Sequence, residues 1–185
     1  MHNTQKIPTR HLVLIGLVTA LTCILAPLTI PLPFSPVPIS FTNLVLFLSI
    51  FILGYKYATI SYIIYLLLGF VGLPVFSGFT GGIGKLAGPT GGYLIGFLFL
   101  TIIGGFLVEK FQNSLLLTTI SLGAGMILPY LFGTTWLCIQ MDLSFFQGLT
   151  IAVFPYLIGD GVKIAITLLI GPTLCRRLAR LHDDR

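Results

Sequence analysis

The stretch FPYLIGDGVKIAITLLIGPTLC, residues 154–175, decides how the chain is read. It is apolar over the roughly 20 residues that a helix needs to cross a bilayer. Inside it stand two opposite charges three residues apart, Asp160 and Lys163. A charge in hydrocarbon costs about 3 kcal/mol on insertion scales, and such groups persist where they face a protein interior or cavity and have a partner. A spacing of three puts both side chains on one helix face. They form either a ligand-recognition site or a structural ion pair tying this helix to its neighbours. The desolvation cost favours recognition.

Composition extends this reading to the whole chain. Only 8% of the 185 residues are charged, against about 25% in a soluble domain. Too few polar residues exist to cover a soluble globule. The length allows about six spans with short loops. The expected fold is an all-α membrane protein, a single integral domain over 1–185. Its spans are predicted at about 11–30, 39–55, 57–72, 91–108, 114–138 and 149–174. A tight turn at Tyr55-Lys56-Tyr57 separates the second from the third. The apolar run after Lys6 and Arg10 resembles a signal peptide but lacks a small-residue cleavage site, so it is expected to remain as the first span. No internal repeat is visible, which weighs against an inverted-repeat transporter.

The basic residues set the topology. With six spans, one side collects Lys6, Arg10, Lys56, Lys110, Arg176, Arg177, Arg180 and Arg185, and the other has only Lys85. Both termini are therefore expected in the cytoplasm. The charge of +5 is scattered rather than striped, so nucleic acid is not an expected partner. The cysteines Cys23, Cys138 and Cys175 form no metal or disulfide pattern and read as packing residues. His2, His11 and His182 lie near the termini, away from any catalytic set.

Two predicted outer loops carry unusual chemistry. Residues 31–38, PLPFSPVP, favour an extended polyproline-like segment. Residues 72–92, GLPVFSGFTGGIGKLAGPTGG, hold eight glycines in 21 positions. Glycine lets backbone approach a ligand closely. This loop, between helices 3 and 4, reads as a lid or wall of a binding site, with a flexible connector as the alternative.

Depth follows from helical rise. Asp160 precedes Arg176, the expected inner boundary, by 16 residues, or about 24 Å at 1.5 Å per residue. In a core about 30 Å thick the pair falls in the outer third. Pro155, Gly159 and Gly161 flank it and are expected to bend the helix. Asp160 can accept two N–H bonds, and Lys163 can donate to a carbonyl or carboxylate. Lys85 in the glycine-rich loop either pairs with an anionic tail or points to water. Glu109, Lys110 and Asp142 fall at turns and read as solvated. Trp136, Tyr93, Tyr130 and Tyr156 read mostly as interfacial anchors, Tyr93 and Tyr156 also as candidates to stack on a ligand. Gly16 and Ala20 form a small-xxx-small face on the first helix.

Catalytic motifs are lacking. The sequence has no H-E-x-x-H, no G-x-S-x-G and no paired intramembrane aspartates. It has no G-x-x-x-x-G-K-[ST] either, so ATP-driven uptake would place hydrolysis on another polypeptide. The chain reads as a non-enzyme that takes a small polar solute from outside. An autonomous ion-coupled carrier, with the pair relaying protons, is the alternative.

Three blocks together resemble a known family. GLPVFSGFTGGIGKLAGPTGGYLIGF at 72–97, PVPISFTNL at 36–44 and IGDGVKIAI at 158–166 are similar to BioY, the biotin-specific substrate-binding (S) component of energy-coupling factor transporters. The resemblance implies six helices and a biotin pocket near the outer surface of a bacterial inner membrane. Asp160 and Lys163 would meet the ureido head, with Tyr93, Phe76, Gly81, Gly82, Thr90 and Lys85 around the ligand. It implies no cofactor in this chain. The partners would be a transmembrane coupling (T) subunit, docked at Gly16 and Ala20, and two cytosolic ATPases. This chain departs from the family at Gly16, where alanine is more usual, at Thr42, where glutamine is, and at Phe79-Thr80, often a glycine-containing pair.

Overall fold

A computed structural model describes residues 8–183, with side chains placed from 8 to 178. Lys6, Arg180, Arg185, His2 and His182 lie outside the described side chains.

The first helix, α1 (Thr9–Leu25), is shorter than its predicted span. Pro27 follows it closely, and proline cannot continue a helix. The proline-rich segment is extended, as its composition demands, but it is not an isolated polyproline stretch. Strands β1 (Thr29–Leu32) and β2 (Ser35–Ser40) pair antiparallel, Thr29 opposite Ser40 and Ile30 opposite Ile39. The register breaks between Ile30 and Leu32, at Pro31, where no N–H is available to the ladder. The all-α expectation is thus modified by one hairpin.

Helix α2 (Thr42–Phe70) covers two predicted spans in one run of 29 residues. Straight, it would reach about 43 Å. Gly54, at φ 71° and ψ 168°, breaks it into arms 42–53 and 55–70. The arms fold back on each other: Thr42 and Tyr65, about 34 Å apart along a straight helix, line the same pocket. Only glycine adopts that backbone geometry readily. The expected turn is therefore real, but its pivot is Gly54 rather than Tyr55-Lys56-Tyr57. Glu109 closes it by accepting the Tyr55 N–H at 3.4 Å.

After a short helix α3 (Ile83–Ala87), one rod is built from α4 (Gly91–Phe99), a π-helical turn Leu100–Gly104 and α5 (Gly105–Phe111). Helix α6 (Leu115–Met141) packs closely against α4. A Cβ on Gly96 would lie 2.4 Å from the Pro129 Cα, and one on Gly133 would lie 2.3 Å from the Tyr93 ring. The predicted last span divides at Val153 into α7 (Phe145–Ala152) and α8 (Phe154–Asp183). Pro155 sits in the first turn of α8, where a missing N–H is tolerated. Helix α8 then continues through Gly159 and Gly161, so the chain breaks before the charged pair rather than around it.

Among the described residues, Thr42–Phe70, Gly91–Phe111, Leu115–Met141 and Phe154–Leu178 are long and apolar enough to cross a membrane, and Thr9–Leu25 is a shorter apolar helix. The bundle's outer surface is apolar: Val13, Leu17, Leu116, Ile139, Ile158 and Leu169 are all exposed. Cys23 and Cys138 are partly buried as expected, whereas Cys175 is exposed.

The ends of the bundle differ in charge. Arg10 donates to the Leu178 carbonyl at 2.6 Å, and Lys56, Glu109 and Arg176 line one groove beside Gly54. Lys85 lies in the glycine-rich loop. That loop is tied down at several points: Gly78 N–H donates to Pro27 O, Trp136 Nε1 to Gly88 O, and Gln140 Nε2 to Ala87 O. It is an ordered segment, not a slack connector.

Candidate functional site

Helix α8 carries Asp160 and Lys163 on one face, with Nζ 3.0 Å from Oδ1. Asp160 is only 7% exposed. Buried charges need hydrogen-bond partners beyond each other, and the start of α2 supplies them. Asn43 donates to Asp160 Oδ1 at 2.6 Å and accepts from Lys163 at 2.9 Å, closing a three-residue ring. Lys163 also donates to the Ser40 carbonyl at 2.9 Å, and Tyr130 donates to Asp160 Oδ2. The strand β2 and the Phe41 turn present Ser40 and Asn43 together, while α6 contributes Tyr130.

This arrangement redefines Lys163. An ammonium has three donors, and three protein acceptors take them: Ser40 O, Asn43 Oδ1 and Asp160 Oδ1. Direct donation to a solute, expected from the sequence, would have to displace one of these. Asp160 Oδ2 has lone-pair capacity left after Tyr130. The carboxylate is therefore the better placed of the two charges to receive N–H groups.

The cluster faces a small pocket, about 70 Å³ in volume and partly open to solvent. Besides the polar cluster, its wall includes Tyr65, Tyr93, Phe97, Tyr156, Met126 and Pro129. Such a wall suits a compact solute with an apolar body and a polar, hydrogen-bonding edge.

The predicted site residues fall into two groups. Asp160, Lys163, Tyr93 and Thr90 line the pocket. Phe76, Gly81, Gly82 and Lys85 are not on that wall. Phe76 is fully buried, edge-on against Tyr65. Gly81 lets the loop backbone pass Leu73, where a Cβ would come within 2.2 Å of the carbonyl oxygen. Gly82, at φ 83°, begins α3 and donates to Gly69 O at 2.7 Å. Lys85 is half-buried in that helix, and burial lowers its pKa. Gly16 and Ala20 are exposed on α1, with nothing within 4 Å of a Cβ on Gly16.

Several site residues escape a reading of the sequence. Asn43, Tyr65, Ser40 and Met126 are neutral and sit among ordinary apolar neighbours. Tyr130 passes for an interfacial anchor, yet bonds the buried carboxylate. Tyr93 donates to the Ala152 carbonyl at 3.1 Å, and Trp136 bonds the loop rather than standing free. Tyr156 donates to Val37 O and accepts from the Ser35 hydroxyl, fastening α8 to β2.

Known proteins resemble this chain along nearly its whole length. The BioY family pattern matches residues 1–180. The biotin transporter BioY of Thermotoga maritima is 36% identical, over 95% of this chain and 99% of its own. A probable biotin transporter BioY of Pyrococcus horikoshii is 35% identical over 87% of this chain and 93% of its own. The crystal structure of the S-component for biotin from an ECF-type ABC transporter superposes with a TM-score of 0.83 at 33% identity, covering 97% of this chain and 95% of that one. With sequence and fold in agreement from one end to the other, this multi-pass membrane protein belongs to the BioY family.

Proposed function

We propose that this chain is a high-affinity biotin-binding subunit of an ATP-driven vitamin uptake transporter, capturing biotin from the outer side of the membrane. One observation carries the reading: in a chain so similar to an S-component for biotin, a buried carboxylate with spare acceptor capacity faces an aromatic-walled pocket. A ureido head offers two N–H donors and one carbonyl. Asp160 accepts an N–H, and Lys163 with Asn43 holds that carboxylate in place. Tyr93 and Thr90 form the wall around the ligand. Phe76, Gly81, Gly82 and Lys85 shape the loop that closes over it.

The chain crosses the membrane six times: α1, the two arms of α2, the α4–α5 rod, α6 and α8. The glycine-rich loop between the third and fourth spans is extracellular, and both termini are cytoplasmic. Two features support this orientation: Arg10, Lys56 and Arg176 gather at one end of the bundle, and cytoplasmic ends are rich in lysine and arginine. The membrane is the bacterial inner membrane. Gly16 and Ala20 present a smooth patch for a transmembrane coupling subunit, which works with two cytosolic ATPases.

Calorimetry of the purified chain against biotin and a panel of other vitamins tests the reading. Biotin alone should bind tightly, and Asp160→Asn should weaken it severely. Absence of biotin binding would overturn the proposal. In liposomes, uptake should require ATP and the partner subunits. Uptake by the chain alone under a proton gradient would favour an ion-coupled carrier instead.

A further inference from the structure

The tyrosines of the pocket wall are not equivalent. Tyr93 donates to Ala152 O, Tyr130 to Asp160, and Tyr156 to Val37 O. Tyr65 is the exception. Its side chain is completely buried, lines the pocket, and its hydroxyl has no hydrogen-bond partner among the described residues. Thr42 lines the same wall beside it, but no hydrogen bond joins the two. Thr42 Oγ1 is already the acceptor for Ser40 Oγ at 3.0 Å.

The ring cannot swing away to find water. It stacks on Tyr62 at 5.5 Å and 27°, and Phe76 stands edge-on against it at 5.5 Å and 79°. Tyr62 is itself anchored by donating to Leu94 O at 2.8 Å. A buried hydroxyl held without a partner destabilises the fold. Such groups in native structures call for a reason, and one on the wall of a pocket has an obvious reason in a ligand.

The donor inventory narrows what it meets. A ureido carbonyl needs a donor beside the carboxylate that takes its N–H. Lys163 has its three donors engaged, and Tyr130 has its one on Asp160. Tyr65 lies beside Thr42, the residue next to Asn43 in the charged ring. We propose that Tyr65 contacts the ligand directly, its hydroxyl donating to the carbonyl oxygen of the ureido head. This rests on the reading of the chain as a biotin-binding subunit.

The test is Tyr65→Phe in the purified full chain, titrated with biotin, desthiobiotin and biotinamide. All three keep the ureido carbonyl, desthiobiotin lacks the thioether ring, and biotinamide lacks the charged tail. Affinity for each should fall by the same factor, about 10- to 100-fold, as expected for one unpaired polar group. Without ligand, the variant should melt no lower than wild type, because only an unpartnered hydroxyl is removed. Unchanged biotin affinity, or a loss that disappears with biotinamide, overturns the assignment. So does a lower melting point without ligand, which would mark a structural hydroxyl bonded to Thr42. A wild-type chain that binds no biotin overturns the functional reading as well, and the inference with it.

Discussion

Removing the charge of Asp160 separates what the ion pair contributes to folding from what it contributes to recognition. Nζ of Lys163 lies 3.0 Å from Oδ1, and the two side chains are 12% and 10% exposed. At that distance and an effective dielectric of about 20, the attraction is about 5 kcal/mol. Asp160→Asn keeps the size and one acceptor but leaves the lysine without a counter-charge. Breaking a buried pair in this way costs about 3–5 kcal/mol, a fall in melting midpoint on the order of 10 °C for a chain of this size. Adding Lys163→Met removes the orphan charge. Replacing both charges by neutral groups is often neutral or stabilising, because the desolvation penalty disappears with them. The double variant should therefore recover most of the lost stability. It should not recover biotin binding, since the charged carboxylate that receives the ureido N–H is still missing. Thermal unfolding in detergent and calorimetric titration, run on the same samples, read the two effects separately. A single variant that melts like wild type would refute the claim that the pair is desolvated. A double variant that binds biotin normally would refute the recognition role.

Other outcomes follow from particular contacts. Asn43→Leu removes a donor to Asp160 and an acceptor for Lys163; each bond to a charged group contributes about 1.5–3 kcal/mol, so both melting midpoint and biotin affinity should drop, as read by the same two methods. Gly96→Ala puts a methyl group 2.4 Å from the Pro129 Cα, and because backbone cannot rotate away, the α4–α6 contact should loosen and the midpoint fall by several degrees. Gly54→Ala forces a side chain into a backbone region costing about 1–3 kcal/mol; stability should fall while biotin stoichiometry stays at one per folded chain. Gly16→Leu meets nothing within 4 Å, so biotin binding by the isolated chain should be unchanged, while ATP-dependent uptake in liposomes containing the coupling and ATPase subunits should be lost.

The sequence alone determined the solvent, the helical character of the apolar runs and the charged pair inside one of them. Those signals are local: an apolar run of about 20 residues has one environment in which it is cheap, and a charge inside it stands out because burial makes it costly. The break between the first arms was legible as a lysine between apolar runs, although the pivot proved to be Gly54. Tertiary structure decided the rest of the site. Asn43 and Asp160 are 117 positions apart, and nothing in either neighbourhood announces the other. Neutral side chains such as Asn43, Tyr65 and Tyr130 carry no penalty large enough to mark them in a sequence. Their roles follow from which donors and acceptors remain after packing, and that balance exists only once α2, α6 and α8 come together. The same balance spends all three Lys163 donors within the protein, one of them on Asp160. It also left the Tyr65 hydroxyl buried on the pocket wall with no partner of its own.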